Sequence, residues 1–180
     1  MTLAAPMADR ELRLEPLAEA HRKALRQACA QDAEIWNIYP ANYAGADFDR
    51  NFETCLAGPG QIAFALFAGE RLVGMSSYLG IDGANRVLEI GRTYIAPRLR
   101  GTGFNRRVKR LMLDCAFAEG FTRVEFRIDT RNTRSMAAVE TLGAVREGTL
   151  RRNRITWTGY VRDTAVYGLL AEEWRERAHG

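Results

Sequence analysis

An apolar stretch, Val87–Ile95, runs into Pro97-Arg98-Leu99-Arg100-Gly101-Thr102-Gly103-Phe104-Asn105, and an amphipathic helical pattern runs out. Phe104, Val108, Leu111, Met112 and Cys115 fall on one apolar helix face, and Gly120 ends it. Strand, glycine turn and helix therefore follow without a spacer. The chain is committed to placing a helix N-terminus at the end of a strand. Free backbone N–H groups at such a junction, with the positive end of the helix dipole, make a site for phosphate-type anions. Arginines flank the turn on both sides.

The remaining patterns supply a sheet for this junction. Leu12 and Leu14 alternate with polar residues as a short strand, and residues 16–30 read as a helix with Leu17, Leu25 and Ala28 on one face. Residues 34–40 are aromatic and irregular. A second short helix after Asp47 buries Phe48, Phe52, Cys55 and Leu56, and Pro59-Gly60 breaks it. A hairpin follows, 61–67 and 71–79. Val124, Phe126 and Ile128 alternate with charged residues as a half-buried strand. Asn132 caps a helix over 135–142 that Gly143 closes. A last hairpin, 148–157 and 160–170, turns at Thr158-Gly159. The order predicts an α/β (α+β) sandwich around a mixed, mostly antiparallel sheet of about seven strands flanked by about four helices.

The 180 residues suit one domain over 1–180, with residues 1–10 a flexible N-terminus. No apolar run approaches the ~20 residues that span a bilayer, so no membrane contact is expected. The first ten residues lack a long apolar core, so the expected location is cytoplasmic. Cys29, Cys55 and Cys115 show no metal or redox spacing and fall at apolar helical positions, which reads as buried free thiols. The net charge is +4, carried by 24 arginines and only two lysines, Lys23 and Lys109. Arginine suits forked recognition of phosphate or carboxylate, and it also serves as a plain surface cation. The charge is spread along the chain, which disfavours a nucleic-acid arm; no direct nucleic-acid binding is expected.

Other chemistries fall away. No G-x-x-x-x-G-K-[ST] is present, and Arg106 stands where a dinucleotide fingerprint needs its third glycine. With only His21 and His179, a histidine-dependent triad or zinc site is not expected.

The block Arg98-x-x-Gly101-x-Gly103 after a strand resembles the acyl-CoA pyrophosphate loop of the GNAT N-acetyltransferases. Glu89-Ile90-Gly91, Arg100-Gly101-Thr102-Gly103-x-Asn105, Asn132-x-Arg134-Ser135, Leu142-Gly143-Ala144 and Arg162-Asp163 occur in the order typical of the ribosomal-protein alanine and serine N-acetyltransferases, the RimJ/RimL-like subgroup. The resemblance covers roughly residues 72–174 well and the first sixty only in outline. It implies a GNAT fold splayed at the acyl-CoA site, with acetyl-CoA as co-substrate and no metal. The turn amides from Arg98 to Asn105, including Thr102 and Phe104, would hold the pyrophosphate, with Arg98, Arg100 and Arg106 as added charge or as solvated cations. The backbone of Tyr94 and Ile95 would pair with the pantetheine arm. Asn132 would bond it from the opposite strand end, within the block that also carries Arg134 and Ser135.

Acetyl transfer from a thioester needs an uncharged amine, a donor for the oxyanion and a proton for the leaving thiolate. An α-amine, with pKa near ~8, demands less of a base than lysine near ~10.4. The resemblance implies Glu89 as the base, or as an orienting carboxylate, and a backbone N–H near Tyr94 or Ile95 as the donor. Ser135 or Tyr167 would be the acid, each with an ordinary structural role open beside it. The chain departs from the subgroup at Tyr167-Gly168, where Tyr-Ser is common, and at Phe104, where an aliphatic residue is usual. Glu34, Trp36 and Tyr39 could cradle a cationic amine, or their aromatics could cover the core. The implied activity is direct acetyl transfer to an amine acceptor, a protein N-terminus first and a small-molecule amine second. A silent CoA-binding regulatory module and an RNA-associated protein stand as alternatives from other classes, and a monomer or homodimer fits.

Overall fold

The computed structural model describes residues 2–179. In chain order the strands and α-helices are β1 (Met7–Asp9), β2 (Leu12–Pro16), α1 (Arg22–Cys29), α2 (Phe48–Ala57), β3 (Ile62–Ala68), β4 (Arg71–Asp82), β5 (Val87–Ile95), α3 (Phe104–Ala118), β6 (Arg123–Asp129), α4 (Thr133–Thr141), β7 (Val145–Ile155), β8 (Val161–Leu170) and α5 (Ala171–His179). The strands form one mixed, mostly antiparallel sheet in the order β1-β2-β3-β4-β5-β6-β8-β7, in which only β5 and β6 pair in parallel.

Eight strands and five α-helices stand where about seven and four were expected. The additions lie at the ends. β1 falls within the segment expected to be flexible; it pairs Met7 with Leu14 and buries the Met7 side chain. α5 continues directly from β8 and buries Ala171 and Trp174. The helix expected from residue 16 begins later, after a 3₁₀ turn at Glu19–His21. Pro16 still pairs with Phe64 in the sheet, and the Leu17 N–H donates to the Ala63 carbonyl at 2.8 Å, which keeps the chain extended there.

The sheet is packed on both faces. On one, Val108, Met112 and Ala116 of α3 meet Leu12, Leu14, Phe64, Leu88, Ile90 and Phe126. On the other, Leu25, Phe48 and Phe52 from α1 and α2 gather with Trp36, Met75 and Tyr94. Cys29, Cys55 and Cys115 are buried and free, as their apolar positions imply.

β5 carries the feature that shapes the rest. Met75 faces Tyr94 and Ser77 faces Gly91, so Ser76 on β4 is matched by both Arg92 and Thr93 on β5. Arg92 takes the left-handed conformation, φ 50°. This bulge resets the alternation of side chains. Leu88 and Ile90 point to the α3 face, whereas Tyr94 points to the opposite face and stacks on Trp36 at 4.7 Å. Gly74 lets the backbones meet closely here, since a Cβ would stand 2.0 Å from the Tyr94 carbonyl oxygen. The parallel ladder of β5 and β6 ends at Glu89 and Glu125, although β5 runs on to Ile95 and β6 to Asp129. Beyond that pair the strands part.

Candidate active site

A cleft of about 770 Å³ opens where β5 and β6 separate. At one end stands the glycine turn. Gly101 and Gly103 have φ of 78° and 84°, a region that side chains with a Cβ rarely enter, and Gly103 is the N-cap of α3. Gly101, Gly103, Asn105 and Arg106 line the cleft, and the first N–H groups of a helix have no acceptor within it. The Asn105 Oδ1 is buried without a hydrogen-bond partner. A donor-rich helix start with the Arg106 cation beside it fits a pyrophosphate in chemistry.

The other turn residues have different duties. Arg98 and Thr102 are exposed, and the Thr102 hydroxyl donates to the Leu99 carbonyl at 2.8 Å. Phe104 packs into the core. Arg100 lines the cleft but turns back on the protein. Its Nε donates to the Ile95 carbonyl at 2.9 Å, its Nη1 pairs with Asp32, and its guanidinium lies 5.6 Å from the Tyr94 ring centre. It clamps the turn to the end of β5.

Along the cleft, β5 presents Glu89, Ile90, Gly91, Thr93 and Ile95. Tyr94 is on the far side, its hydroxyl donating to the Ala28 carbonyl at 2.7 Å. Across from it, the Asn132 side chain accepts from the Ser135 N–H at 3.0 Å as the N-cap of α4, and Asn132, Arg134 and Ser135 all line the cleft. The cap does not remove these groups from the cleft.

At the closed end sits Glu89. Burial holds its carboxyl above the usual carboxylate range, against the pull of Arg127, whose Nε is 3.9 Å away. Lys109 enters the same space from α3. It is 6% exposed, donates from Nζ to Thr93 Oγ1 at 2.6 Å, and lies 5.7 Å from the Phe126 ring centre. Thr93 Oγ1 is also 2.7 Å from Ser76 Oγ. Burial pulls the Lys109 ammonium down to about 7. Its place could have been read from the sequence, as one of two lysines and on the apolar side of the helix 104–115.

The three acceptor-side candidates separate. Tyr39 lines the cleft and its hydroxyl donates to the Thr93 carbonyl at 2.5 Å. Trp36 is 0% exposed, donates from Nε1 to the Cys29 carbonyl, stacks on Tyr94 and packs at a tilt against Tyr39 and Tyr43 as part of the core. Glu34 is exposed and outside the cleft lining. Tyr167 also lies outside the lining, buried with its hydroxyl donating to Glu140 at 2.7 Å. Arg127, Arg154 and Arg162, by contrast, line the cleft on β6, β7 and β8; of the three only Arg162, in the Arg162-Asp163 block, stands out in the sequence, and not as a site residue.

The sequence profile of the acetyltransferase (GNAT) domain matches residues 11–145. No curated protein matches the chain. Among solved structures, a T. thermophilus protein assigned as an acetyltransferase is 36% identical, with TM-score 0.83 over 95% of this chain and 92% of its own. A GCN5-related N-acetyltransferase from Brucella melitensis is 25% identical, with TM-score 0.88 over 96% of this chain and 81% of its own. Spermidine N-acetyltransferase from Vibrio cholerae, solved with CoA and spermine, is 18% identical and shares the fold, with TM-score 0.77 over 93% of this chain and 99% of its own. The chain belongs to the GNAT acetyltransferase family and is an N-acetyltransferase. Among the described residues, no helix is long and apolar enough to cross a membrane.

Proposed function

We propose that this chain acetylates a primary α-amine by direct transfer from acetyl-CoA. The carrying observation is the parting of β5 and β6 beyond Glu89, which opens the β5 edge beside the N-terminus of α3 and leaves a partly buried carboxyl group at the closed end. When bound, acetyl-CoA supplies a thioester carbonyl and a thiolate leaving group. Gly101, Gly103, Asn105 and Arg106 are the residues to hold its pyrophosphate, with Asn132 facing the arm from α4.

The protein's own part is proton handling and placement. Glu89 takes the proton of the incoming amine, directly or through one water, as the nitrogen bonds to the carbonyl carbon. A backbone N–H of β5 near Ile95 meets the oxyanion. Ser135, at the first turn of α4, gives the departing sulfur its proton and is reprotonated from solvent, to which Glu89 releases the proton it took. Tyr39 walls the acceptor side.

A protein N-terminus, the substrate type of the RimJ/RimL-like subgroup, is the first acceptor, and the expected setting is a cytoplasmic single-domain enzyme, monomer or homodimer. A small-molecule amine is the second reading, favoured by one observation. The Trp157 Nε1 on the β7–β8 turn donates to the Trp36 carbonyl at 2.7 Å, and Arg131 stacks 3.7 Å from the Tyr160 ring centre while reaching the Asn37 carbonyl. That bridge ties the β7–β8 turn to the segment that precedes Tyr39, on the side taken for the acceptor. The test is thiol release from acetyl-CoA with N-terminal peptides, amino acids and polyamines. Turnover of an α-amine supports the proposal, and CoA binding without thiol release from any amine overturns it in favour of a silent CoA module.

A further inference from the structure

We infer that the acceptor carries an anionic group, carboxylate or phosphate, a few bonds from its amine, and that Arg162 receives it with Arg127 and Arg154. The inference rests on the acetyl-transfer reading and narrows its substrate.

The register places these groups together. Asp129 faces Thr164 across β6 and β8, and Arg154 faces Arg162 across β7 and β8. Arg127 and Asp129, two apart, share a face of β6; Arg162 and Thr164 share the same face on β8. The contact between Arg127 and Glu89 shows that this is the face on which the carboxylate stands.

Arg162 is 4% exposed. Its Nε donates to Thr164 Oγ1 at 3.0 Å, and its Nη2 makes only a 3.5 Å approach to the Arg127 carbonyl. Among the described residues no carboxylate lies within ion-pair distance of it. A buried charge without an ion-paired carboxylate is costly, and burial pulls its proton affinity down against the more distant pull of Asp129 and Glu89. The nearby carboxylates are committed elsewhere. Asp129 gives both oxygens to Arg131, at 3.0 and 2.8 Å, and Glu125 takes Arg123 and Arg127, each at 3.1 Å. Arg154 lines the cleft with no carboxylate partner among the described residues.

The wall therefore leaves Arg154 and Arg162 with no ion-paired carboxylate among the described residues, beside an Arg127 shared between Glu125 and Glu89. A polyamine, carrying only ammonium groups, meets repulsion there. A substrate with both signs is matched, its amine toward Glu89 and its anion in the guanidinium fork of Arg162.

The test compares pairs that differ in the anion: alanine with alaninamide, an Ala-Asp peptide with its Ala-Asn counterpart, and O-phosphoethanolamine with ethanolamine. In at least one pair the anionic member has kcat/KM tenfold or more above its neutral partner, and the pair that responds identifies the source. Arg162→Gln raises KM for that acceptor at least tenfold and erases the preference, while the rise in Tm caused by CoA is unchanged. Arg154→Ala, at an exposed position, lowers the same preference and stands in if Arg162→Gln fails to fold. Turnover that ignores the anion in every pair, or a preference intact in both variants, overturns the inference alone. Thiol release from no amine, with CoA still bound, overturns the acetyl-transfer reading and the inference with it.

Discussion

Glu89 and Glu125 stand side by side in the last parallel pair of β5 and β6. Their surroundings set them apart. Arg123 and Arg127 bind Glu125, whereas Glu89 keeps one arginine at 3.9 Å and is held by burial above the ordinary carboxylate range. Two like groups thus sit in different electrostatic surroundings.

Replacing Glu89 with glutamine lowers kcat by about 100-fold, the lower range of general-base contributions, and leaves the CoA-induced rise in Tm intact. The wild-type rate climbs with pH as this raised carboxyl loses its proton, so kcat/KM has an acid limb above the usual carboxylate range. Measured across pH 4 to 9, that limb is absent from Glu89→Gln; a limb that survives removes Glu89 as the base.

Saturating CoA stabilises the fold by about 2.7 kcal/mol at one hundred times its Kd, several degrees in Tm. The Gly101→Glu side chain enters open space with a negative charge at the anion site, and the φ of 78° strains both it and Gly101→Ala. A thermal melt should therefore show the CoA shift kept in Gly101→Ala and lost in Gly101→Glu. Equal shifts in both would move the pyrophosphate elsewhere.

Lys109 ties stability to pH. Its folded value, about 7, lies below the ~10.4 of an unfolded lysine. Between these values the unfolded chain holds the proton that the native state has released, so this group makes stability rise with pH by up to about 1.4 kcal/mol per unit. Below pH 7 both states are protonated and the burial cost is fully felt. Denaturant melts at pH 6 to 9 should show this slope in the wild type and a flatter one in Lys109→Met, with the greatest gain at pH 6.

Tyr167 and Ser135 divide by position. Tyr167→Phe forfeits one hydrogen bond to Glu140, worth about 1 kcal/mol of stability, and leaves kcat unchanged. Ser135→Ala lowers kcat about tenfold or more at unchanged CoA affinity, within the range of acid catalysis. If the tyrosine variant alone is slow, the acid is Tyr167.

The middle of the fold was legible because its signals are local. The glycines of the turn and the Asn132 cap act within a turn of chain, and the apolar face from Phe104 to Cys115 repeats over a single helix. β1 was not, since three residues carry no period, and α5 shows, among its described side chains, only two that are buried beside charged neighbours. The site divides in the same way. Gly101, Gly103, Asn132 and Ser135 come together along the cleft, but the spacing around Trp36 does not say which face of the sheet it will cover. The bulge at Arg92 and Thr93 decides that, by turning Tyr94 toward Trp36. Arg162 stood out in the sequence only as part of the Arg162-Asp163 block, and the pairing of β7 and β8 is what sets it in the wall.

The burial of Lys109 leaves Lys23, on α1, as the chain's only solvent-facing lysine. The remaining positive side chains, apart from histidine, are guanidinium groups, which stay protonated in proteins and offer no free nitrogen pair to a thioester. A surface dressed in arginine lets an acetyl-transferring protein keep its charge in the presence of its own reagent. Among its side chains, acetylation can then cancel little more than the charge of Lys23.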